Sequence, residues 1–149
     1  KFIEASTCIF HISNYTLSME LLEQYQKEIR EDLAIDEMSI KQQSMQLPAK
    51  KHFWVARLIE TKQQLQRLTK QKKKAKERLV KELMHKSPIK LTISDAEKAA
   101  EKGSELQELN DKIDDVQLIV EYLEKVEKIF HNATWDFKNV IQLHFSEKA

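Results

Sequence analysis

Glycine, proline and cysteine are scarce in this chain. Its 149 residues include a single glycine, Gly103, and two prolines, Pro48 and Pro88. Hairpins and short strands depend on such residues at their turns, so this composition excludes a β-rich fold and predicts an all-α protein. One glycine also excludes a glycine-rich phosphate loop. The single cysteine, Cys8, excludes an internal disulfide and any zinc site built from paired cysteines.

Sequence motifs of catalysis are missing as well. No serine-centred elbow and no His-Glu-x-x-His spacing occurs. The five histidines, at 11, 52, 85, 131 and 144, are scattered and are interpreted as surface or half-buried side chains. We therefore predict a protein that is not an enzyme and that uses no cofactor and no metal.

The chain also lacks an apolar run of signal-peptide or membrane-span length. A soluble, cytoplasmic protein without membrane association is predicted. Residues 1–18 differ in texture from the helical pattern that begins at Met19. They are interpreted as an N-terminal extension that need not be native, with a start at Met19.

Apolar residues recur at helical spacing in the first half of the chain. They predict a short amphipathic helix from Met19 to about Leu33 and a less ordered joint over 35–47. A long helix is predicted to begin at Pro48 and to end before Ser87-Pro88, because proline disfavours the α conformation in the preceding residue. Its narrow apolar stripe is typical of a coiled-coil-like arm and comprises Trp54, Leu58, Leu65, Leu68, Ala75, Leu79 and Leu83, with Lys72 among them.

A second helical region is predicted after residue 87, which divides the chain into 1–18, 19–86 and 87–149. Ser94-Asp95-Ala96-Glu97 has the pattern of a capping box with Ser94 as the N-cap, and Gly103 is expected to interrupt the helix that starts there. Two apolar stripes beyond it need two neighbours, so an elongated subunit is predicted to oligomerise through this helix. The residues predicted for oligomerisation are Val116, Ile119, Val120, Leu123, Val126 and Phe130.

Charge is distributed unevenly, although the formal net charge is only +1. Between Lys62 and Lys81 there are nine basic residues against one acidic residue, whereas 94–128 carries eleven acidic residues against five lysines. The long helix therefore presents a basic face that could follow a phosphate backbone. The residues predicted for DNA binding are Arg67, Lys70, Lys73, Lys74, Lys76, Arg78 and Lys81.

Two functions are compatible with this basic helix. One is nucleic-acid binding; the alternative is a structural coiled-coil assembly or scaffold protein whose lysines are a solvated face. A solvated face usually mixes signs in Glu-Lys pairs, and here only Glu77 and Glu82 interrupt the lysines, which favours nucleic acid. The nearby aromatics, Phe53 and Trp54, are interpreted as core residues rather than as base-stacking groups.

Four stretches of the chain form a recognisable series: EDLAIDEMSI (31–40), LPAKKHFWVARLIETKQQL (47–65), KKAKERLVKEL (73–83) and TWDFKNVIQLHF (134–145). In this order they resemble the UvsY-type recombination mediator proteins of tailed phages. Together they extend the resemblance over about residues 20–147. The chain departs from the family after the basic helix, where it has VKELMHKSP (80–88) in place of a tyrosine pair and a glycine-basic turn.

The resemblance implies an all-helical subunit in a ring-like homo-oligomer, a hexamer or heptamer, that assembles through its C-terminal helices. It implies binding to single-stranded DNA, with Lys76 and Arg78 on the pair that the family uses for this contact. It further implies two protein partners, a phage single-strand binding protein and a RecA-like phage recombinase that the mediator loads onto DNA.

Overall fold

The computed structural model of the chain describes residues 19–36, 38–87 and 90–147. These residues contain four helices and no strand, which confirms the all-α prediction. Helix α1 spans 19–33, α2 Ile40–Lys86, α3 Ile93–Glu101 and α4 Ser104–Ser146. The extension predicted at 1–18 lies outside the described residues, as do Cys8 and Pro88.

The start of α2 differs from the prediction. The helix begins at Ile40 and contains Pro48, so the joint predicted over 35–47 is wrong for its second part. Proline inside a helix removes one backbone hydrogen bond and costs about 3 kcal/mol. Ile40 and Leu47, in the helical turns before this proline, are 7% and 4% exposed, and their burial offsets that cost.

The turn before α2 is built by Asp36. Its side chain accepts hydrogen bonds from the amide of Met38 at 3.2 Å and from Oγ of Ser39 at 2.8 Å, while its own amide donates to Oε1 of Gln43 at 3.0 Å. An aspartate that satisfies the free amides before a helix fixes where the helix begins. Asp36 is therefore the residue that indicates the start of α2 in the sequence, and Pro48 does not mark it.

The start of α3 also corrects the prediction, because Thr92 and not Ser94 is the N-cap. The Thr92 hydroxyl accepts from the Asp95 amide at 3.2 Å and donates to Oδ2 of Asp95 at 2.6 Å. Gly103 interrupts the helices as predicted, since α3 ends at Glu101 and α4 begins at Ser104. A Cβ on Gly103 would lie 3.0 Å from the carbonyl oxygen of Ala100, a contact that favours glycine there.

The described residues form two compact units. The basic unit comprises the described residues of 62–118, and the aromatic unit comprises those of 19–61 and 119–147. The basic unit is one stretch of the sequence, whereas the aromatic unit combines two stretches that are distant in sequence. The domain division at residue 86 stays a prediction.

The aromatic unit contains most of the buried side chains. Trp54 is 2% exposed and its Nε1 donates to Oδ2 of Asp32 at 2.9 Å, which joins α2 to α1. Lys50 lies 3.1 Å from the other carboxylate oxygen of Asp32, and Tyr25 meets the indole ring edge-on. The charged acceptor is thus shared by an indole and an ammonium group.

The basic unit has a smaller core. Its fully buried apolar residues are Ala96, Ala100, Leu106 and Val116, of which two are alanines on α3. The stripe of α2 is only half-buried there, at Leu65, Leu68, Ala75, Leu79 and Leu83. Because an alanine buries little surface, α3 is held by less apolar contact than a leucine-faced helix would have.

The first stability prediction compares the two tryptophans. Trp54→Phe removes a buried hydrogen bond to a carboxylate and part of a packed ring, and should lower the free energy of unfolding by about 2 kcal/mol. Trp135→Phe is the matched control, because Trp135 is 62% exposed and should change it by less than about 0.5 kcal/mol. Urea unfolding followed by circular dichroism measures both; equal losses would contradict the burial of Trp54.

The second prediction compares Thr92→Ala with Ser94→Ala. Only Thr92 caps α3, so its replacement should destabilise the protein by about 1 kcal/mol. Ser94 lies within the first turn and is exposed, so its replacement should have little effect. Urea unfolding of the two variants distinguishes them, and the opposite order would restore Ser94 as the cap.

Candidate nucleic-acid interface

The outward side of α2 in the basic unit carries a group of cations. Arg67, Lys70, Lys74 and Lys81 fall within an arc of about 60° around the helix, given 3.6 residues per turn. All four are exposed, and the half-buried apolar stripe lies on the opposite side. We call these four residues the outward arc. The residues that pack thus determine which cations face solvent.

The outward arc is not neutralised by nearby carboxylates. Among the residues that the structure describes, its four members and the neighbouring exposed Lys73 form no ion pair. An open groove of about 570 Å³ runs along the end of α2. It is lined by Lys74, Glu77, Arg78, Lys81, Glu82, His85 and Lys86. Cations therefore outnumber carboxylates along this surface, as contact with a phosphate backbone requires.

Lys76 has a different environment. Its Nζ lies 2.8 Å from Oε1 of Glu101 at the end of α3, which makes both a hydrogen bond and an ion pair. Lys72, the odd cation on the apolar stripe, is half-buried, and its charge also acts on Glu101. The two lysines thus face α3 and contribute to its attachment.

Arg78 lies on the other flank of the apolar stripe, roughly 160° from Lys76 around the helix. Its Nη2 lies 2.5 and 2.7 Å from the two carboxylate oxygens of Glu105, in the first turn of α4. Its Nη1 donates to Oε1 of Glu82 at 3.1 Å, one turn further along α2. The pair that the resemblance assigns to DNA contact is therefore already bound to carboxylates of the same chain.

These contacts shift the pKa values of Glu101, Lys76 and Arg78. The hydrogen bond from Lys76 holds the pKa of the Glu101 carboxyl below its usual range. The same bond raises the pKa of Lys76, and the bonds to Glu105 and Glu82 raise the pKa of Arg78. These shifts favour the ionised forms of Glu101, Lys76 and Arg78.

The sequence could reveal only one of these contacts. Arg78 and Glu82 are four residues apart on one helix, a spacing that places their side chains side by side. The partners Glu101 and Glu105 are 25 and 27 residues away from their cations, and no local spacing identifies them. They depend on how α3 and α4 pack against α2.

Phe53 and Trp54 of α2 lie in the aromatic unit, where their rings contact each other. Trp54 is buried, as interpreted from the sequence, and is not accessible for base stacking. Phe53 is 44% exposed, and the guanidinium of Arg57 lies 4.6 Å from its ring centre. Nη1 of Arg57 lies 3.3 Å from Oε2 of Glu28 on α1. The contact with Phe53 lies within α2, whereas the ion pair with Glu28 and the approach of the guanidinium to the Tyr25 ring, at 4.8 Å, connect α2 to α1.

The six residues predicted for oligomerisation are all buried within a single chain. Val116 is 8% exposed, and Ile119, Val120, Leu123, Val126 and Phe130 are at most 4% exposed. A second copy that leaves this subunit intact therefore has to contact other side chains. Large apolar side chains exposed on α4 are Leu118, Ile129, Trp135, Leu143 and Phe145.

No group of three histidine, cysteine, aspartate or glutamate side chains within the described residues is arranged to hold a metal ion. None of the helices in the described ranges combines the length and hydropathy that crossing a bilayer requires.

The described chain is an all-α protein with a long basic helix, and this architecture has solved counterparts. Two are crystal structures of the recombination mediator protein UvsY of bacteriophage T4, in lattice types II and IV. Their TM-scores are 0.71 and 0.73, over 86% and 85% of this chain and 98% of the UvsY chain. The sequences are 13% identical. The chain therefore has a UvsY-like fold, which confirms the fold that the resemblance implied.

No family model matches the chain, and no curated protein matches its sequence. The likeness is carried by the arrangement of the helices.

The ion pair at Glu101 yields a third prediction. The Glu101 carboxyl should titrate at a lower pH than an ordinary glutamate, and Lys76→Met should return its pKa towards the usual range. Because its folded-state pKa is depressed, the stability it contributes is present above the usual glutamate range and is lost as the pH falls through the lowered pKa.

Carboxyl-carbon NMR during an acid titration measures this value. Lys98→Met is the control, since it removes a lysine from α3 that forms no ion pair with Glu101 in the described residues. A Glu101 titration that is the same in wild type and Lys76→Met would show that the contact does not form in solution.

Proposed function

We propose that this protein is a non-enzymatic recombination mediator that binds single-stranded DNA through the basic face of α2. The observation that carries this proposal is the outward arc, an exposed row of cations that packing leaves unneutralised, in a chain with a UvsY-like fold. T4 UvsY is a recombination mediator protein. In the proposed role the protein helps displace a phage single-strand binding protein and loads a RecA-like phage recombinase in the host cytoplasm.

The chemistry of the arc favours a sequence-independent contact. Lysine is a flexible point charge that pairs with phosphate wherever a strand runs, and counterion release makes such binding sensitive to salt. Trp54, a bulky aromatic residue of α2, is buried, so stacking on it contributes nothing. We therefore propose that phosphate contacts dominate the affinity.

Several copies of the arc would act together. We propose a homo-oligomer, a hexamer or heptamer, in which one strand contacts the arcs of successive subunits. Linked sites raise the effective concentration of each contact, so a weak patch in each subunit suffices for firm binding. Val116, Ile119, Val120, Leu123, Val126 and Phe130 remain the sequence-based assignment for assembly, and their burial in one chain favours exposed neighbours on α4 instead.

The second candidate is a structural assembly or scaffold protein whose lysines serve packing and solubility. The observation in its favour is that Lys76 and Arg78 are bound to carboxylates of α3 and α4. On that hypothesis the whole basic run is explained without a ligand, and removal of the outward arc has no effect on nucleic acid.

The fourth prediction separates these candidates with a matched pair of triple variants. Lys70→Ala with Lys74→Ala and Lys81→Ala removes three members of the arc. It should weaken binding to a labelled single-stranded oligonucleotide about tenfold or more at low salt, with a salt slope reduced by about 2, at roughly 0.7 per lost phosphate contact. Fluorescence anisotropy at several salt concentrations measures both quantities.

The control replaces Lys98, Lys112 and Lys125 by alanine. All three are exposed lysines of α3 and α4, and the change in net charge is the same. It should reduce binding far less, because these lysines lie among acidic residues. Absence of wild-type binding at low salt would favour the scaffold, and equal losses in both variants would show that net charge alone matters.

A further inference from the structure

Two carboxylates of this chain lie where phosphates of a bound strand would be expected. Glu101 accepts from Lys76, and both oxygens of Glu105 accept from one nitrogen of Arg78. Lysine and arginine bind phosphate oxygens through the same donors. We infer that Glu101 and Glu105 compete with DNA phosphates for Lys76 and Arg78. This competition limits both the affinity of the site for DNA and the number of its cations that contact phosphate. The inference rests on the proposed function.

Both ion pairs are open to solvent. The side chains are 31% and 54% exposed for Lys76 and Glu101, and 52% and 47% exposed for Arg78 and Glu105. A phosphate can therefore reach either cation without opening the core. Exposed pairs of this kind gain little over hydrated charges, so exchanging one anion for another costs little.

The attachment of α3 also permits this exchange. Its buried apolar contacts are made by Ala96 and Ala100, and it ends at the Gly103 joint. Glu101 is the last residue of this helix and is exposed. Movement of its side chain away from Lys76 therefore leaves the two buried alanines in place.

The basic helix then has cations of two kinds. The outward arc is ready for phosphate, whereas Lys76 and Arg78 become available only when a strand displaces their carboxylates. Wild-type binding should release fewer counterions than the number of cations on α2 suggests. A strand held in this way is exchanged more easily, which suits a protein that passes DNA to a partner.

The fifth prediction tests the competition with Glu101→Gln combined with Glu105→Gln. Glutamine keeps the size of the side chain and removes its charge. Affinity for a single-stranded oligonucleotide should rise about threefold to tenfold at low salt. The salt slope should steepen by roughly 0.7 for Lys76 and by up to about 1.4 in total, because Arg78 keeps its ion pair with Glu82.

Glu108→Gln combined with Asp114→Asn is the matched control. These exposed acids on α4 undergo the same change in charge, and neither pairs with Lys76 or Arg78 among the described residues. Adding Lys76→Ala and Arg78→Ala to the glutamine variant should abolish its gain. An equal gain in affinity in the control variant would overturn the inference, and so would a gain that persists after Lys76 and Arg78 are replaced. Either result leaves the proposed binding of single-stranded DNA intact.

A measurement on the wild-type protein gives an independent test if the glutamine variant does not fold. Adding an oligonucleotide should return the lowered pKa of Glu101 towards its usual range, because Lys76 then binds phosphate instead. A Glu101 titration that is unchanged when the protein is saturated with DNA would overturn the competition. If wild type and all variants fail to bind DNA, the proposed function itself fails.

Discussion

The apolar stripe of α2 determines where every cation of the basic run points. Leu65, Leu68, Leu79 and Leu83 share one side of the helix and are half-buried. Helical geometry then forces residues half a turn away to face solvent, and Arg67, Lys70, Lys74 and Lys81 are such residues. Lys76 and Arg78 lie on the two flanks of the stripe, within reach of Glu101 and Glu105. The stripe thus sets the direction of each cation, and the positions of Glu101 and Glu105 decide which cations are paired.

The sequence predicts the helical class and the C-terminal ends of α2 and α3, because local residue chemistry determines them. Ser87 before Pro88 and the Gly103 joint marked helix ends correctly. The start of α2 differs from the prediction because proline is favoured as a first helical residue, whereas the burial of Ile40 and Leu47 offsets the cost of Pro48 inside the helix. The start of α3 was missed by two residues because Thr92 and Ser94 both offer a hydroxyl, and only the geometry of the turn selects Thr92.

Pairings across helices could not be read from the sequence. The apolar stripes of α4 indicated correctly that the helix needs neighbours, but not which ones. Leu123, Val126 and Phe130 are at most 1% exposed in one chain, so the folded subunit already covers residues that the sequence predicts for assembly. Their part in assembly stays a prediction. For charge as well, the acidic balance of 94–128 was visible, while the specific contact from Glu105 to Arg78 depends on the approach of α4 to α2. Periodicity identifies a face and leaves its partner undefined.

In the described part of the chain, ion pairs with α3 and α4 involve only some of the basic residues of α2. If lysines of α2 were present only to hold α3 and α4, the two cations on the flanks of the stripe would suffice, since these make the contacts to Glu101 and Glu105. The outward arc and Lys73 add five positive charges that form no ion pair in the described part of the chain. Like charges at three- and four-residue spacing destabilise a helix. Packing therefore accounts for Lys76 and Arg78, whereas no ion pair in the described part of the chain offsets the repulsion among the outward arc and Lys73. This difference is why we propose an anionic partner for those five residues.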